Sequence, residues 1–185
     1  MKQWMIKSNR ADLSKIAARY KISEILAEVL VKRGLCDWEA MDAYLYPSMD
    51  KLHDVHAIYD LDHAVSIIRD KIENNQKIQV IGDYDVDGVS ATAILYECLT
   101  NLGAQVRCKL PTREGGGYGL NRETLQKLAD KGYKLIVTVD NGISAIEEAD
   151  LAAELGIELV ITDHHLPGDE IPDTLVVNPN QRGDT

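Results

Sequence analysis

The stretch Val-Ile-Gly-Asp-Tyr-Asp-Val-Asp-Gly-Val-Ser-Ala, residues 80–91, places three alternating carboxylates between two different hydrophobic periodicities. Residues 78–81 are largely apolar and rich in β-branched side chains, which predicts a buried strand. Residues 89–102 predict a helix with one apolar face, made of Ala91, Ile94, Leu95, Cys98, Leu99 and Leu102. The carboxylates therefore lie where a strand ends and a helix begins, which is where open α/β sheets bind ligands.

Asp83, Asp85 and Asp87 would project to the same side of an extended segment. Like charges that close repel and raise one another's pKa unless a cation lies among them. Because clusters of carboxylate oxygens suit Mg²⁺ or Mn²⁺, we expect a divalent metal site here rather than a solvated acidic turn.

Strands and helices alternate regularly after Asn75, which is typical of a parallel sheet with right-handed crossovers. The predicted strands are 78–82, 105–110, 134–139, 157–161 and 174–177, and the predicted helices between them are 89–102, 122–131 and 144–155. We therefore expect an α/β fold, a Rossmann-like parallel sheet with helices on both faces, preceded by a small helical region.

The residues before Asn75 show helical periodicity. Helices are predicted on both sides of a break at 21–23, at 37–45 and at 61–73. The apolar face of the second helix is expected to consist of Ile25, Leu26, Val29 and Leu30. We predict two domains, an N-terminal helical region at 1–75 and a sheet domain at 76–185.

The composition is that of a globular protein, with 45% apolar and 27% charged residues. No apolar run approaches the ~20 residues of a membrane span, and the N-terminus lacks the apolar region of a signal peptide. Cys36, Cys98 and Cys108 have no metal-site spacing, which favours reduced thiols. These features predict a cytoplasmic protein without a membrane partner.

Charge is distributed unevenly along the chain. The net charge is −10, yet residues 1–33, which we call the basic head, hold eight Lys or Arg and three acids. A basic head on an acidic body could guide a polyanion past a metal centre, with Lys15, Arg19 and Lys32 as guiding cations. The same charges would equally suit a solvated helix face.

Two further predicted strands end in candidate metal ligands. Asp140 follows one of them, and Asp163, His164 and His165 follow the next. Because the carboxyl ends of parallel strands meet at one edge, the three strand ends should converge. Adjacent histidines cannot face one way in an extended segment, so one is expected to ligate a metal and the other to contact a phosphate or donate a proton. Mixed carboxylate and imidazole ligation favours Mn²⁺ over Mg²⁺.

Two known motifs resemble the carboxylate stretch at 83–88 but do not match its spacing. A calcium-binding EF-hand loop needs Glu at its twelfth position, where this chain has Ile94, and it follows a helix rather than a strand. The haloacid-dehalogenase phosphatases need a nucleophilic Asp directly after the strand, but Asp83 and Tyr84 stand before Asp85 here.

The Gly-rich segment 115–119 has no helix tightly after it, so it is not a dinucleotide-binding fingerprint. It could be a mobile loop at the entrance of the site. Arg113 could then meet a phosphate and Tyr118 could stack on a base. A plain flexible loop would have the same composition.

Together these motifs resemble the DHH phosphoesterase superfamily. The resemblance rests on Asp-Tyr-Asp-Val-Asp-Gly at 83–88, Val-Thr-Val-Asp-Asn-Gly-Ile-Ser at 137–144 and Thr-Asp-His-His-Leu-Pro-Gly at 162–168. Within the superfamily the chain is similar to the RecJ family of single-strand-specific DNA exonucleases, which work 5′ to 3′. The similarity extends from about residue 20 onward and includes Tyr46-Pro47-Ser48, Leu52-His53-Asp54, Pro111–Asn121 and Asn178-Pro179.

The resemblance implies a two-metal site for Mn²⁺ or Mg²⁺. Its metal ligands would be Asp85, Asp87, Asp140 and His164. Asp83 and Asp163 would support catalysis beside these ligands, and His165 would contact the scissile phosphate. Many relatives have His where this chain has Ile81, and Thr112 and Glu114 replace the family's usual Asn and Phe.

The function implied by the resemblance is metal-dependent hydrolysis of single-stranded DNA in repair and recombination. One alternative is a DHH phosphoesterase for short oligonucleotides or cyclic dinucleotides, and another is a non-catalytic accessory protein that kept the fold. The basic head favours a polymeric substrate. Because the family's catalytic domain continues and is followed by a second domain, this 185-residue chain is expected to fold and bind metal but to be nearly inactive alone.

Overall fold

The computed structural model describes residues 11–111 and 120–181, which form seven α-helices and five β-strands. The helices are α1 (Leu13–Tyr20), α2 (Glu24–Lys32), α3 (Trp38–Leu45), α4 (Leu61–Glu73), α5 (Val86–Asn101), α6 (Arg122–Asp130) and α7 (Ile146–Glu154). The strands are β1 (Lys77–Ile81), β2 (Gln105–Lys109), β3 (Tyr133–Val139), β4 (Glu158–Thr162) and β5 (Leu175–Val177). None of the helices in this part of the chain is long and apolar enough to cross a membrane.

The five strands form one parallel sheet in the order β2-β1-β3-β4-β5, which confirms the predicted fold class. The chain places β2 on one side of β1 and β3 on the other, so the direction of strand addition reverses between β1 and β3. At such a switch point a crevice opens outside the carboxyl ends of the strands. The crevice of this sheet begins directly before Asp83.

Helices cover both faces of the sheet, as predicted. On one face α6 and α7 pack against the strands, with Leu125 and Ile136 among the buried side chains. On the other face α4 and α5 pack, with Leu99 and Val137 buried. Because the central strands are covered on both sides, their sequences are nearly continuous apolar runs.

Helix α5 begins three residues earlier than predicted, and only part of its predicted apolar face packs on the sheet. Gly88 and Thr92 are buried, whereas Ile94, Cys98 and Leu102 of the predicted face are exposed. Ala91, Leu95 and Leu99 of the predicted face do pack in the core on the sheet. The prediction was wrong for the three exposed residues because hydrophobic periodicity gives no weight to glycine and threonine. These small residues occupy the line along which α5 approaches the sheet most closely.

The chain divides into two compact units, Met1–His53 and Asp54–Thr185. In the first unit, α1, α2 and α3 pack around a small core that includes Tyr20, Ala27 and Met41. This core is formed by short helices whose first turns are each capped by a Ser or Asp side chain.

Helix α2 buries only part of its predicted apolar face. Leu30 is buried, but Ile25 is 76% exposed and both Leu26 and Val29 are exposed. The residue that faces the core instead is Ala27, which is fully buried. As in α5, a small side chain marks the line of closest packing, so the prediction for these three residues was wrong.

Helix α4 was predicted as the last helix of the N-terminal region, but it lies in the second compact unit, where Ala64 packs in the core on the sheet. An amphipathic pattern shows that a helix has an apolar face without showing which partner covers that face. The division into domains at 1–75 and 76–185 stays a prediction.

Candidate metal centre

The three candidate strand ends lie side by side at one edge of the sheet. Strands β1, β3 and β4 are neighbours in the sheet. Asp83 lies two residues after the end of β1, Asp140 directly follows β3, and Asp163 directly follows β4. Two backbone hydrogen bonds extend the ladder past the strands. The amide of Asp140 donates to the carbonyl of Thr162 at 3.0 Å, and that of Asp163 donates to the carbonyl of Val177 at 3.1 Å. The predicted convergence is therefore present, and backbone bonding fixes it.

The turn after β1 is built by the start of a helix. Asp85 caps α5, since its Oδ1 accepts from the amide of Gly88 at 3.1 Å, and Asp87 lies in the first helical turn. The expectation that three carboxylates alternate along an extended segment was therefore wrong. A Cβ at Gly88 would lie 2.8 Å from backbone atoms of Asp83, so this close turn requires glycine. The hydrogen bond from Gly88 holds the pKa of Asp85 below its usual range.

Asp140 is nearly buried and has a left-handed backbone conformation, with a φ of 61°. Residues other than glycine rarely adopt such angles, and those that do cluster at functional sites. The adjacent Asn141 stabilises this turn, because its side-chain amide donates to the carbonyls of Val139 at 2.9 Å and Ile81 at 3.2 Å. Sequence analysis did not identify this role of Asn141.

The charges around Asp140 are poorly balanced by the protein itself. Burial raises the pKa of Asp140, and the carboxylates of Asp87 and Asp85 raise it further, while a hydrogen bond with His164 acts in the opposite direction. Nε2 of His164 lies 2.8 Å from Oδ1 of Asp140 and 3.6 Å from Oδ2 of Asp87. A divalent cation among these groups would favour the charged form of every carboxylate.

Both carboxylate oxygens of Asp163 accept hydrogen bonds from other groups of this protein, and its side chain is 1% exposed. Its Oδ1 accepts from the amides of His164 at 2.7 Å and His165 at 3.1 Å, and lies 2.7 Å from Nδ1 of His165. Its Oδ2 accepts from the amide of Ile143 at 3.0 Å. Burial alone would raise the pKa of Asp163, but these hydrogen bonds outweigh burial and hold it below its usual range. Asp163 thus orients the two histidines from a position behind them.

The rings of His164 and His165 lie beside each other, with centroids 4.7 Å apart. The expectation that they face opposite ways was wrong, because the chain bends at His165 and is not extended there. Their nitrogens nevertheless have different partners, since Nε2 of His164 faces Asp140 and Nδ1 of His165 faces Asp163. An ionised carboxylate only accepts, so Nδ1 of His165 carries a proton and Nε2 is available to an external group. The hydrogen bond with Asp163 raises the pKa of His165.

Two sets of side chains can each surround a metal ion. One set is Asp83, Asp85 and Asp140 and the other is Asp140, His164 and His165, each with ligand atoms within 4.8 Å of one another. Asp140 belongs to both sets and so can bridge two ions. Carboxylate oxygens with imidazole nitrogens are a donor set that fits Mn²⁺ or Mg²⁺. The structure places Asp83, predicted from sequence as a supporting residue, among the possible ligands.

Position 81 holds Ile and cannot contribute a ligand. Ile81 is 1% exposed and packs in the apolar core on the face of the sheet covered by α6 and α7. Any ion beside the end of β1 therefore depends on the carboxylates of Asp83 and Asp85 and on the shared Asp140.

A cavity of about 490 Å³, which we call the edge cavity, opens beside these residues. It is lined by Asp140, His165 and Leu120, among others. Arg113 and Tyr118, the predicted substrate contacts, lie outside the described residues and stay predictions. The edge cavity gives a substrate access to the side of the site where His165 lies.

Asn178 supports the histidines through their backbone, a role that sequence analysis missed. It is fully buried, and its side-chain amide donates to the carbonyl of His165 at 2.9 Å. Its side-chain oxygen accepts from the amide of Asn180 at 2.8 Å, and the Asn180 side chain donates to the carbonyl of His164. The Asn-Pro pair after the last strand was the available signal, but nothing in the sequence linked that pair to these carbonyls.

Replacing Asp163 by Asn should destabilise the protein by about 3 kcal/mol, because an amide group would face donors that now meet a carboxylate. The pKa of His165 should fall toward its usual value in the same variant. Urea unfolding and NMR titration of the imidazole measure the two effects. Asp169→Asn, an exposed acid in the same segment, is the matched control and should change neither. Unchanged stability and unchanged titration would show that Asp163 does not organise the histidines.

The cations of the basic head have partners within their own compact unit. Arg19 pairs with Asp42 at 3.1 Å, Lys32 pairs with Glu28 at 2.7 Å, and Lys15 lies 5.9 Å from the centroid of an indole ring of α3. These contacts favour a solvated helix face for these three residues over a path for a polyanion.

The sequence matches proteins of one named family. The profile of a family described as "DHH family, N-terminal domain" matches residues 77–185. The single-stranded-DNA-specific exonuclease RecJ of Bacillus subtilis is 37% identical over 185 residues, which cover 99% of this chain and 24% of that protein. RecJ of Escherichia coli K12 is 40% identical over 124 residues, 66% of this chain and 22% of that protein. The chain spans about a quarter of the length of these curated relatives.

Solved structures show the same likeness. An exonuclease RecJ bound to manganese is 37% identical, with a TM-score of 0.65, over 69% of this chain and 33% of that protein. RecJ from Thermus thermophilus in complex with Mn²⁺ is 29% identical, with a TM-score of 0.64, over 93% of this chain and 24% of that protein.

Proposed function

Since this chain belongs to the DHH family, we propose that it forms the metal-binding part of an exonuclease that hydrolyses single-stranded DNA from 5′ to 3′. The observation that carries the proposal is the position of Asp140, which belongs to both sets of ligand atoms at the edge of the sheet. The named activity of the Bacillus subtilis relative supports the substrate class. We place the reaction in DNA repair and recombination in the cytoplasm.

We propose a two-metal site for Mn²⁺ or Mg²⁺. Asp83, Asp85 and Asp140 would hold one ion, and Asp140, Asp87 and His164 would hold the other. Bound there, the ions would activate a water molecule and neutralise charge on the phosphoryl oxygens. The related RecJ structures that contain manganese or magnesium support this choice of metal.

Among the described residues, His165 would contact the scissile phosphate. Its Nδ1 is held by Asp163, which fixes the ring and leaves Nε2 for the substrate. The raised pKa of His165 favours a proton on Nε2, which can donate to a phosphate oxygen or to the leaving oxygen. Asp163 and Asn178 do not touch the substrate in this scheme and act by positioning the ring.

The test uses a chimera in which this chain replaces the matching quarter of the Bacillus subtilis relative. The chimera supplies the rest of the relative's length. A lack of activity in the chimera would therefore be due to the metal centre and not to missing parts of the relative. We expect Mn²⁺-dependent release of nucleotides from the 5′ end of labelled single strands. Duplex DNA and cyclic dinucleotides should be hydrolysed far more slowly.

Each alternative function predicts a different result in this assay. Preferred hydrolysis of cyclic dinucleotides by the chimera would contradict a polymeric substrate and support a small-nucleotide phosphoesterase. A folded chimera that binds Mn²⁺ but releases nothing would support a non-catalytic accessory protein. The parent Bacillus subtilis enzyme run beside it controls for the assay.

A further inference from the structure

A groove runs along the edge strand β2 on the face of the sheet that α6 covers. Two adjoining cavities of about 580 and 690 Å³ form it, and both are lined by Arg107, Lys131 and Tyr133. Glu123 is the only acidic side chain that lines it among the described residues. The cations that line this basic groove are Lys77, Arg107, Lys109, Lys127 and Lys131.

Most of the positive charge in the basic groove has no anionic partner. One ion pair, at 2.5 Å between Lys127 and Glu123, neutralises part of it. The ammonium groups of Lys77 and Lys109 donate their hydrogen bonds to uncharged oxygens. Within the described part of the chain, the other two cations make no side-chain hydrogen bond or ion pair. All five are exposed, so an anion in the groove can reach them.

The basic groove is positively charged, whereas the compact unit that contains it has a net negative charge. Residues 54–185 hold 23 acids and 11 Lys or Arg, and five of those 11 cations line the groove. Cations gathered on one face of an acidic unit create a local positive potential that attracts a polyanion. The basic head differs, because Arg19 and Lys32 are already paired with carboxylates.

The basic groove begins next to the candidate metal centre. Lys109 ends β2, and its carbonyl accepts from the amide of Gly82 at 3.1 Å, directly before Asp83. Leu120 lines the edge cavity, and the next residue, Asn121, lines the groove. A chain whose end lies in the edge cavity can therefore continue into the groove around the start of α6.

We propose that the basic groove holds the phosphate backbone of the single strand whose end is hydrolysed at the metal centre. The inference rests on the proposed function and adds the path of the unreacted strand. At ~3.3 Å per residue, β2 gives the groove a length of about 13 Å, which suits a few phosphates. Tyr133 is its one aromatic ring among the described residues and is 8% exposed, so the groove would bind backbone without reading bases.

The test compares two double variants of this chain that remove equal charge. Arg107→Gln/Lys131→Gln removes it from the groove, and Arg69→Gln/Lys134→Gln removes it from exposed positions outside. Fluorescence anisotropy measures binding of labelled oligothymidylate without metal over a range of salt. Each lost phosphate contact lowers the salt slope by about 0.7, so the groove variant should lose about 1.4 and the control nothing. A slope equal to that of the unmodified chain would overturn the proposal.

A polyglutamate peptide and the chimera complete the test. If the groove variant loses affinity for the peptide but not for DNA, the groove is a protein-binding surface and the proposal is overturned. Both binding measurements are made without metal, so they are independent of hydrolysis. Binding in the groove with no hydrolysis by the chimera would count against the proposed function alone. Hydrolysis by the chimera, together with a salt slope that the groove variant leaves unchanged, would count against the groove alone.

Discussion

Replacement of Asp140 by Asn should weaken Mn²⁺ binding by at least about 100-fold and nearly abolish hydrolysis by the chimera. Asparagine keeps the shape of the side chain but removes the charge that both sets of ligand atoms share. Changes in residues that only orient ligands already cost about 10- to 100-fold in metal affinity, so loss of a shared ligand should cost more. Calorimetric titration of this chain with Mn²⁺ measures the affinity.

The matched control is Asp150→Asn, which removes an exposed acid of α7 outside the cluster. It should bind Mn²⁺ as the unmodified chain does. If Asp140→Asn also binds Mn²⁺ with unchanged affinity, Asp140 is not a ligand. The two-metal arrangement would then lose its bridge.

Replacement of His165 by Asn should lower kcat of the chimera by about 10²- to 10⁴-fold while leaving Mn²⁺ affinity nearly unchanged. The Asn amide can replace the Nδ1 proton that Asp163 accepts, but it has no counterpart of Nε2. The raised pKa of His165 also predicts that the rate falls as pH rises through that pKa, because the proton on Nε2 is then lost. This limb of the pH profile should be missing in the variant.

His63→Asn, at an exposed histidine of α4, is the control for this experiment. A loss of Mn²⁺ affinity in His165→Asn as large as that in Asp140→Asn would make His165 a metal ligand, which its place in the second set also allows. An unchanged kcat would exclude His165 from the chemistry.

The sheet and the position of the site were predictable because both follow from periodicity along the chain. Apolar runs that alternate with helices determine a parallel sheet, and Asp83, Asp140 and Asp163 each follow such a run. Parallel strands bring their carboxyl ends to one edge, so the convergence needed no tertiary information.

The detailed geometry was not predictable, because it depends on small residues and on contacts distant in sequence. Gly88 lets α5 begin inside the carboxylate motif, so Asp85 is a helix cap rather than part of an extended segment. Asp163 accepts from the amide of Ile143, 20 residues earlier, and Asn178 donates to the carbonyl of His165, 13 residues before it. Hydrophobic periodicity contains no information about any of these contacts.

The most direct test of the two-metal centre is anomalous diffraction at the manganese edge from crystals of this chain soaked in Mn²⁺. We predict manganese peaks within coordination distance of the Asp140 carboxylate, with Asp83 or Asp85 on one side and His164 on the other. Manganese bound elsewhere, or none beside Asp140 at saturating Mn²⁺, would contradict the account.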